Sequence, residues 1–354
     1  MKVLHAAALD DNPAFGHFQA AAAAQGIDLE FSVEAFWRGE PAGWDVLHLQ
    51  WPEALFGWRA PTTGELSELH DRLNGWRRAT RVAALVHNSR PHYSTDPGYE
   101  ALYDTVFQAV DGVVHMGRAS LVEYEARYPH LRELPHAIVP LGLASAFRAN
   151  VSRDDARGVL RLRPEDFVVT AFGALRHTEE IRLLLKGFGR TRVKRKRLVV
   201  AARKIPLAQS RTGTALLLAR IAADPRMRLS VGRLPDDRVP VYVNAADVLV
   251  LPRKQVMSSG VVPLGFTVGR VVVGPARGVV GEILAETGNP TFDPERPGSL
   301  AMALEEGRRL ARAGKGEWNR AYGQTHWSWD RIASLYADFY RTLNELPTGN
   351  DRRT

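Results

Sequence analysis

The chain has 354 residues, no cysteine, 45% hydrophobic and 24% charged residues, and a formal net charge of +8. The lack of cysteine excludes disulfides, thiolate metal sites and a cysteine nucleophile, and no apolar stretch approaches the ~20 residues of a membrane-spanning helix. The positive balance favours anionic partners such as nucleotides or phospholipid headgroups, and the length suits two domains of roughly 100–200 residues each.

The start, Met-Lys-Val-Leu-His-Ala, carries one Lys and no long apolar run, unlike a signal peptide. A strand is predicted from Val3, then a turn at Asp10–Pro13 and an Ala-rich helix from Phe15 that Gly26 stops. Ile27–Val33 alternates like a strand, and Asp45–Gln50 predicts another that ends at Trp51-Pro52. A helix over 63–78 leads to a buried-type strand, Arg81–Val86, running into His87-Asn88. Further helices over 99–110 and 120–128 alternate with strands over 112–115 and 137–141. Residues 142–152 read as a linker, after which the pattern restarts.

In the second half, strands are predicted over 167–172, 198–202, 228–231, 247–252 and 271–273. Helices over 179–187, 207–223, 239–245, 261–268 and 282–287 fall between and after them. Two long helices, 300–313 and 329–343, close the chain, and the polar tail after Pro347 reads as disordered. Such alternation predicts α/β architecture: two Rossmann-like, doubly wound parallel sheets in tandem. Ligands of such sheets sit at the carboxyl ends of the strands, so a cleft between two facing halves is the default site.

Seven segments of the second half follow one order. They are Gly173-Ala-Leu-Arg176, Ala202-Arg-Lys204, Ala245-Ala-Asp-Val-Leu-Val-Leu-Pro252, Ser258-Ser-Gly260, Gly269-Arg-Val-Val-Val-Gly-Pro275, Gly281-Glu282 and Trp327-Ser-Trp329. In this order the chain resembles the family 4 glycosyltransferases, over about 165–340 most clearly. The resemblance implies a GT-B fold. Residues 1–147 would form a Rossmann-like acceptor-binding domain and 148–326 a Rossmann-like nucleotide-sugar-binding domain. A helix at 327–346 would cross back to the first domain, ahead of a disordered tail, 347–354. It also implies a cytoplasmic, metal-independent transferase without a cofactor, peripheral at most on a membrane, that moves a sugar from a UDP- or GDP-type nucleotide sugar to a hydroxyl of a glycan, lipid-linked or small-molecule acceptor. No nucleic acid is expected as a partner.

Cations at strand ends and hydroxyls or amides at helix starts can hold a diphosphate. Arg176, Arg203, Lys204, Lys254, Ser258, Ser259, Gly260 and Glu282 are therefore the donor-side candidates. Two features depart from the family. Its paired glutamates, which touch donor sugar and ribose, align with Val256 and Leu264, neither of which accepts a side-chain hydrogen bond. Its phosphate-binding lysine aligns with Glu179-Glu180. Retention of donor stereochemistry is therefore not carried over.

In the first half, His87 resembles the family's strand-end histidine and is a plausible acid/base. Glu53 and Asp96 are the nearest carboxylates for a catalytic base. His48, Trp51, Asn88, Arg90, His92 and Tyr93 are the acceptor-side candidates. The run Arg190–Arg197 holds six positive charges in eight residues and reads as a solvated helix end, a lipid-facing patch or, least of all, a nucleic-acid contact. Alternatives to sugar transfer are a nucleotide-sugar epimerase of the same fold and a non-catalytic sugar- or nucleotide-binding protein, which loss of the glutamates favours. A Ser-His-Asp hydrolase and a Rossmann dehydrogenase are excluded by the missing Gly-x-Ser-x-Gly and Gly-x-Gly-x-x-Gly patterns.

Overall fold

The computed structural model describes residues 1–9, 14–88, 96–147, 151–203, 213, 219, 221 and 223–346. The chain forms two compact units. One takes Met1–Gly142 together with the chain from Trp327 onward, and the other takes Leu143–His326.

The first unit is built on six parallel strands: β1 (Lys2–His5), β2 (Asp28–Phe31), β3 (Val46–Leu49), β4 (Arg81–Val86), β5 (Gly112–His115) and β6 (His136–Ile138). They lie in the order β2-β1-β3-β4-β5-β6. The strands β3, β4 and β5 are buried along their whole length, as expected of parallel strands covered on both faces. Trp76, Phe36 and Phe107 fill one face over Leu4, Leu47, Val82 and Val113. The helix Trp329–Asn344 packs against the helix Phe15–Ala24 and against β6. Its buried residues Ile332, Tyr336, Phe339, Tyr340 and Leu343 recur at helical spacing. Each of the large apolar ones contributes roughly 1.5–3 kcal/mol by leaving water.

The second unit repeats the plan with β7 (Phe167–Gly173), β8 (Lys196–Ala202), β9 (Met227–Val231), β10 (Val248–Val250), β11 (Val271–Pro275) and β12 (Thr291–Phe292). Their order is β12-β11-β10-β7-β8-β9, again all parallel. Asp247 anchors the entry to this unit. Its carboxylate accepts from Val168 N at 2.7 Å and from the Arg157 guanidinium at 2.9 Å.

Among the described residues, three α-helices are absent from the sequence expectations. Val33–Arg38 begins where a strand was predicted, and Arg153–Val159 follows directly on the predicted linker. Both are started by a serine side chain rather than by apolar periodicity. Ser32 Oγ accepts from Ala35 N at 2.9 Å, and Ser152 Oγ accepts from Asp155 N at 3.1 Å. The third, Lys315–His326, buries Asn319 and Gly323 instead of an apolar stripe. The turn at Asp10–Pro13, most of the helix expected over 207–223, and the tail lie outside the described residues.

Part of the basic run is used within the fold. Lys196 is buried, and its ammonium donates to the carbonyls of Phe188 (2.6 Å), Gly189 (3.0 Å) and Thr191 (2.5 Å). It thereby satisfies the end of the helix Thr178–Arg190. Arg195 pairs with Glu165, and Arg197 pairs with Asp166 at 3.0 Å. Among the described residues, no helix is long and apolar enough to cross a membrane.

His115 ends β5 with no exposed surface, and its Nε2 lies 3.0 Å from His136 Nδ1. Burial lowers its pKa to about 3. The folded state thus resists protonation, while the unfolded chain takes up the proton near the ordinary value of 6.5. Stability from this group is full above pH 6.5 and is lost as pH falls toward 3. His115→Gln keeps a donor toward His136 and cannot titrate. Between pH 6 and 4, wild type should lose stability relative to His115→Gln by up to about 1.4 kcal/mol per pH unit, read from denaturant unfolding. A difference that does not change with pH would show that this ring is charged in the folded protein.

Candidate functional site

In each sheet the chain steps outward, then returns to the far side of the strand it started from. These reversal points lie between β1 and β3 in the first unit and between β7 and β10 in the second. Ligands of open α/β sheets bind outside the strand carboxyl ends at such points.

In the first unit, the strand ends bring histidines together. His5 and His48 are register partners, and their rings stack at 4.4 Å and 6°. Both are fully buried. Burial holds the pKa of His48 down to about 3; burial and then the neighbouring His48 hold His5 well below its ordinary value. The Tyr340 hydroxyl bridges them, 2.9 Å from His5 Nε2 and 2.9 Å from His48 Nδ1. Gln50, just past β3, donates from Nε2 to His5 Nδ1 at 2.9 Å. Its Oε1 lies 3.0 Å from His87 Nε2. His87 follows β4, is half-buried, and stacks on Trp51 at 4.3 Å. Trp51 in turn lies 5.7 Å from Trp58.

The expected roles divide here. His87 and Trp51 reach the surface side by side. His48 does not face an acceptor: its ring is enclosed between His5 and the C-terminal helix. Glu53 is also buried and accepts from Tyr103 Oη at 3.0 Å. Burial raises its pKa, against the bonds it accepts. It braces the helix Pro97–Gln108 and is not presented as a solvent-facing base. Asp96 caps that helix, with Oδ1 accepting from Gly98 N at 2.8 Å. Asn88 is buried, and its carbonyl accepts from Tyr124 Oη at 2.7 Å. Arg90, His92 and Tyr93 lie outside the described residues.

In the second unit, each of β7 to β11 is followed within three residues by an arginine: Arg176, Arg203, Arg233, Arg253 and Arg277. Parallel pairing sets Gly173 opposite Ala202, and Arg203 N donates to Gly173 O at 3.2 Å. The turn that carries Arg176 and the exposed Arg203 are thereby brought side by side. Gly173 makes that turn at φ 99°, a left-handed conformation that favours glycine. The turn is held from below by a buried ion pair. Arg253 Nη1 lies 3.2 Å from Glu180 Oε1, and its Nη2 donates to Ala174 O at 2.8 Å. Glu180 Oε2 accepts from Arg176 N at 2.6 Å.

Lys254 pairs with Glu179 at 3.2 Å and approaches Glu295 at 3.8 Å. Ser258 is half-buried; Ser259 Oγ accepts from Val261 N at 3.3 Å, and the exposed Gly260 starts the helix Val261–Thr267. Glu282 lies half-buried on the helix Gly278–Glu286. Gly278, at φ 58°, lets that helix start against the loop before it, since a Cβ would stand 2.3 Å from Val256 O. Lys204 lies outside the described residues. Sequence reasoning missed Gln50, Tyr340, Trp58 and Arg253. For Arg253 a signal existed, the recurrence of arginine after successive strands.

No family model matches the sequence, and no curated protein matches it. Solved structures match it along nearly its whole length. Sucrose-phosphate synthase from Thermosynechococcus elongatus is 16% identical, with a TM-score of 0.68 over 97% of this chain and 98% of that one. HepE from Anabaena, solved with UDP and glucose, is 11% identical, with a TM-score of 0.71 over 97% and 100%. A glycosyltransferase from Rickettsia africae is 10% identical, with a TM-score of 0.65 over 98% and 99%. The chain therefore has the GT-B fold, two Rossmann-like doubly wound units in tandem, as the motif order implied.

The buried pair under the Arg176 turn gives a direct test. Glu180→Ala leaves the Arg253 guanidinium buried without its carboxylate, which should cost about 3 kcal/mol of stability. Adding Arg253→Met should recover part of that loss. Equal stability of Glu180→Ala and wild type by denaturant unfolding would show that the pair does not brace the turn.

Proposed function

We propose that the chain is a glycosyltransferase that moves a sugar from a nucleoside diphosphate sugar to an acceptor hydroxyl. The observation that carries this reading is the braced arginine row at the carboxyl ends of β7, β8 and β10. It occurs in a chain whose fold matches, end to end, proteins that include one solved with UDP and glucose.

In this reading Arg176 and Arg203 hold the diphosphate, with Lys204 next to Arg203 in sequence. The Ser258 and Ser259 hydroxyls and the exposed start of the helix at Gly260 add neutral donors. Lys254 is shared with two glutamates and serves less directly. Glu282 is assigned to the nucleoside. The acceptor oxygen forms its bond to the anomeric carbon as the bond from that carbon to the phosphate oxygen breaks. The nucleoside diphosphate leaves with the electron pair, and the arginines stabilise the charge it gains. His87 takes the hydroxyl proton, since the carboxylates Glu53 and Asp96 are engaged in the fold.

Trp51 and Trp58 offer ring faces to the apolar face of an acceptor sugar. Trp58 is half exposed and held at φ 65°, strained for a non-glycine residue. Its amide donates to Glu53 O at 2.9 Å, and its carbonyl accepts from Tyr99 Oη at 3.0 Å. Nothing in this chemistry calls for a metal ion. One observation favours a binding protein without turnover: Leu264, at a family glutamate position, is buried in the core.

Arg176→Ala and Arg203→Ala should each weaken binding of UDP or GDP about tenfold or more, because a charge-assisted contact is worth roughly 1.5–3 kcal/mol. Calorimetric titration of both nucleotides checks this, and unchanged affinity for both would remove the donor site from this edge. His87→Ala should lower turnover of a nucleotide-sugar panel while nucleotide affinity holds, and turnover should survive EDTA. Nucleotide binding with no turnover by wild type on any donor and acceptor would favour the binding protein.

A further inference from the structure

Ile181 to Ala223 holds twelve Lys and Arg and no Asp or Glu in 43 residues. The formal net charge of +8 therefore divides into +12 for this segment and −4 for the rest of the chain. The fold uses these cations unevenly. Arg195, Lys196 and Arg197 are engaged by Glu165, by helix-end carbonyls and by Asp166. Arg182, Lys186, Arg190, Arg192 and Lys194 are exposed, and their side chains meet no acid among the described residues. The first three recur every four residues on the helix Thr178–Arg190, which places them on one stripe about 12 Å long. Half-buried Leu183 and Leu185 border the stripe, and Ile181, Leu184 and Phe188 hold the other side of the helix in the core. Glu179, at the head of the stripe, pairs with Lys254, and Glu180 is buried against Arg253. On the neighbouring helix Ser299–Arg312, Glu305 accepts from Arg192 N at 2.5 Å. Arg308 and Arg312, three and seven residues on, continue that side, again with no acid partner among the described residues.

Like charges four residues apart on a helix repel, so folding gains nothing from this spacing, and an anionic surface reverses the sign. We propose that this face docks on a membrane surface of anionic phospholipid, whose headgroup phosphates are the ligands. A lipid surface requires only unpaired cations on an exposed face, and clusters of about four to eight suffice. A single-stranded nucleic acid would call for exposed rings between the cations to stack its bases. The one aromatic residue from Ile181 to Arg197, Phe188, is in the core. Arg182 stands six residues past Arg176, so the stripe starts near the arginine edge and runs along the helix away from it. The inference is independent of sugar transfer and is tested without it.

The test is flotation of the full chain with lipid vesicles at ~0.1 M salt. Wild type should bind phosphatidylcholine vesicles that contain phosphatidylglycerol, should not bind pure phosphatidylcholine, and should lose binding as salt is raised. The triple variant Arg182→Gln/Lys186→Gln/Arg190→Gln should bind the anionic vesicles about a hundredfold more weakly, at roughly fivefold per charge. Arg78→Gln/Arg132→Gln/Arg331→Gln removes the same charge from exposed positions of the first unit and should bind within about twofold of wild type. Thermal unfolding reports that each variant folds, and if the first triple variant does not, Lys186→Gln alone decides, with a loss of about fivefold. Failure of wild type to bind the anionic vesicles overturns the proposal, and binding of duplex DNA in their place would make this face a nucleic-acid contact. Equal losses in the two triple variants overturn it as well, since net charge alone would then account for binding.

Discussion

All strands in each sheet run the same way, so every strand delivers its final residues to one edge. That constraint governs what the rest of each unit can do. The carboxyl ends of β1, β3 and β5 carry His5, His48 and His115, with His87 just past β4. The corresponding ends in the second unit carry arginine. Parallel pairing converts distant sequence positions into neighbours at about one strand spacing, ~4.8 Å. A neutral imidazole tolerates burial and can relay a hydrogen bond, whereas guanidinium stays charged and suits phosphate. The two edges therefore have different chemistry on a common scaffold.

Burial decides which of these groups remain available. His5 and His48 sit at the reversal point of the first sheet, where the C-terminal helix covers them and Tyr340 satisfies one nitrogen of each. His87 lies farther out, beyond Gln50, and keeps partial exposure. In the second unit the same division holds between Arg253, buried against Glu180, and Arg203, exposed. The buried member of each set fixes geometry, and the exposed member is the one to which the proposed function assigns the ligand. A buried ion pair adds little net stability, but it holds the Gly173–Arg176 turn in one arrangement.

The departures from the family pattern also have a local physical account. Glu180 stands where the family carries a cation, and here its carboxylate accepts the Arg176 amide and neutralises Arg253. A lysine there would face Arg253 as a like charge. Positive charge is instead supplied from the strand ends. Leu264 packs into the core from a helix of seven residues and offers no side-chain acceptor where the family pattern has a glutamate.

The amino-acid sequence by itself determined the fold class. Runs such as Val82–Val86 and Val248–Leu251 are apolar throughout because both faces of a parallel strand are covered. Alternation with helices then leaves few other arrangements. It also placed His87, Trp51, Arg176 and Arg203 at the sheet edges, since each lies at or just beyond the end of such a run. Short helices begun by Ser32 and Ser152 were not legible, because a cap is one residue and carries no period. The roles of His48, Glu53 and Asn88 were decided only in three dimensions. Whether a polar side chain at a strand end faces solvent depends on what packs over it, and here those partners are Tyr340, Tyr103 and Tyr124. Gln50 was read only as the end of a strand. Its part arises because β1 and β4 flank β3, and pairing of that kind is a property of the sheet.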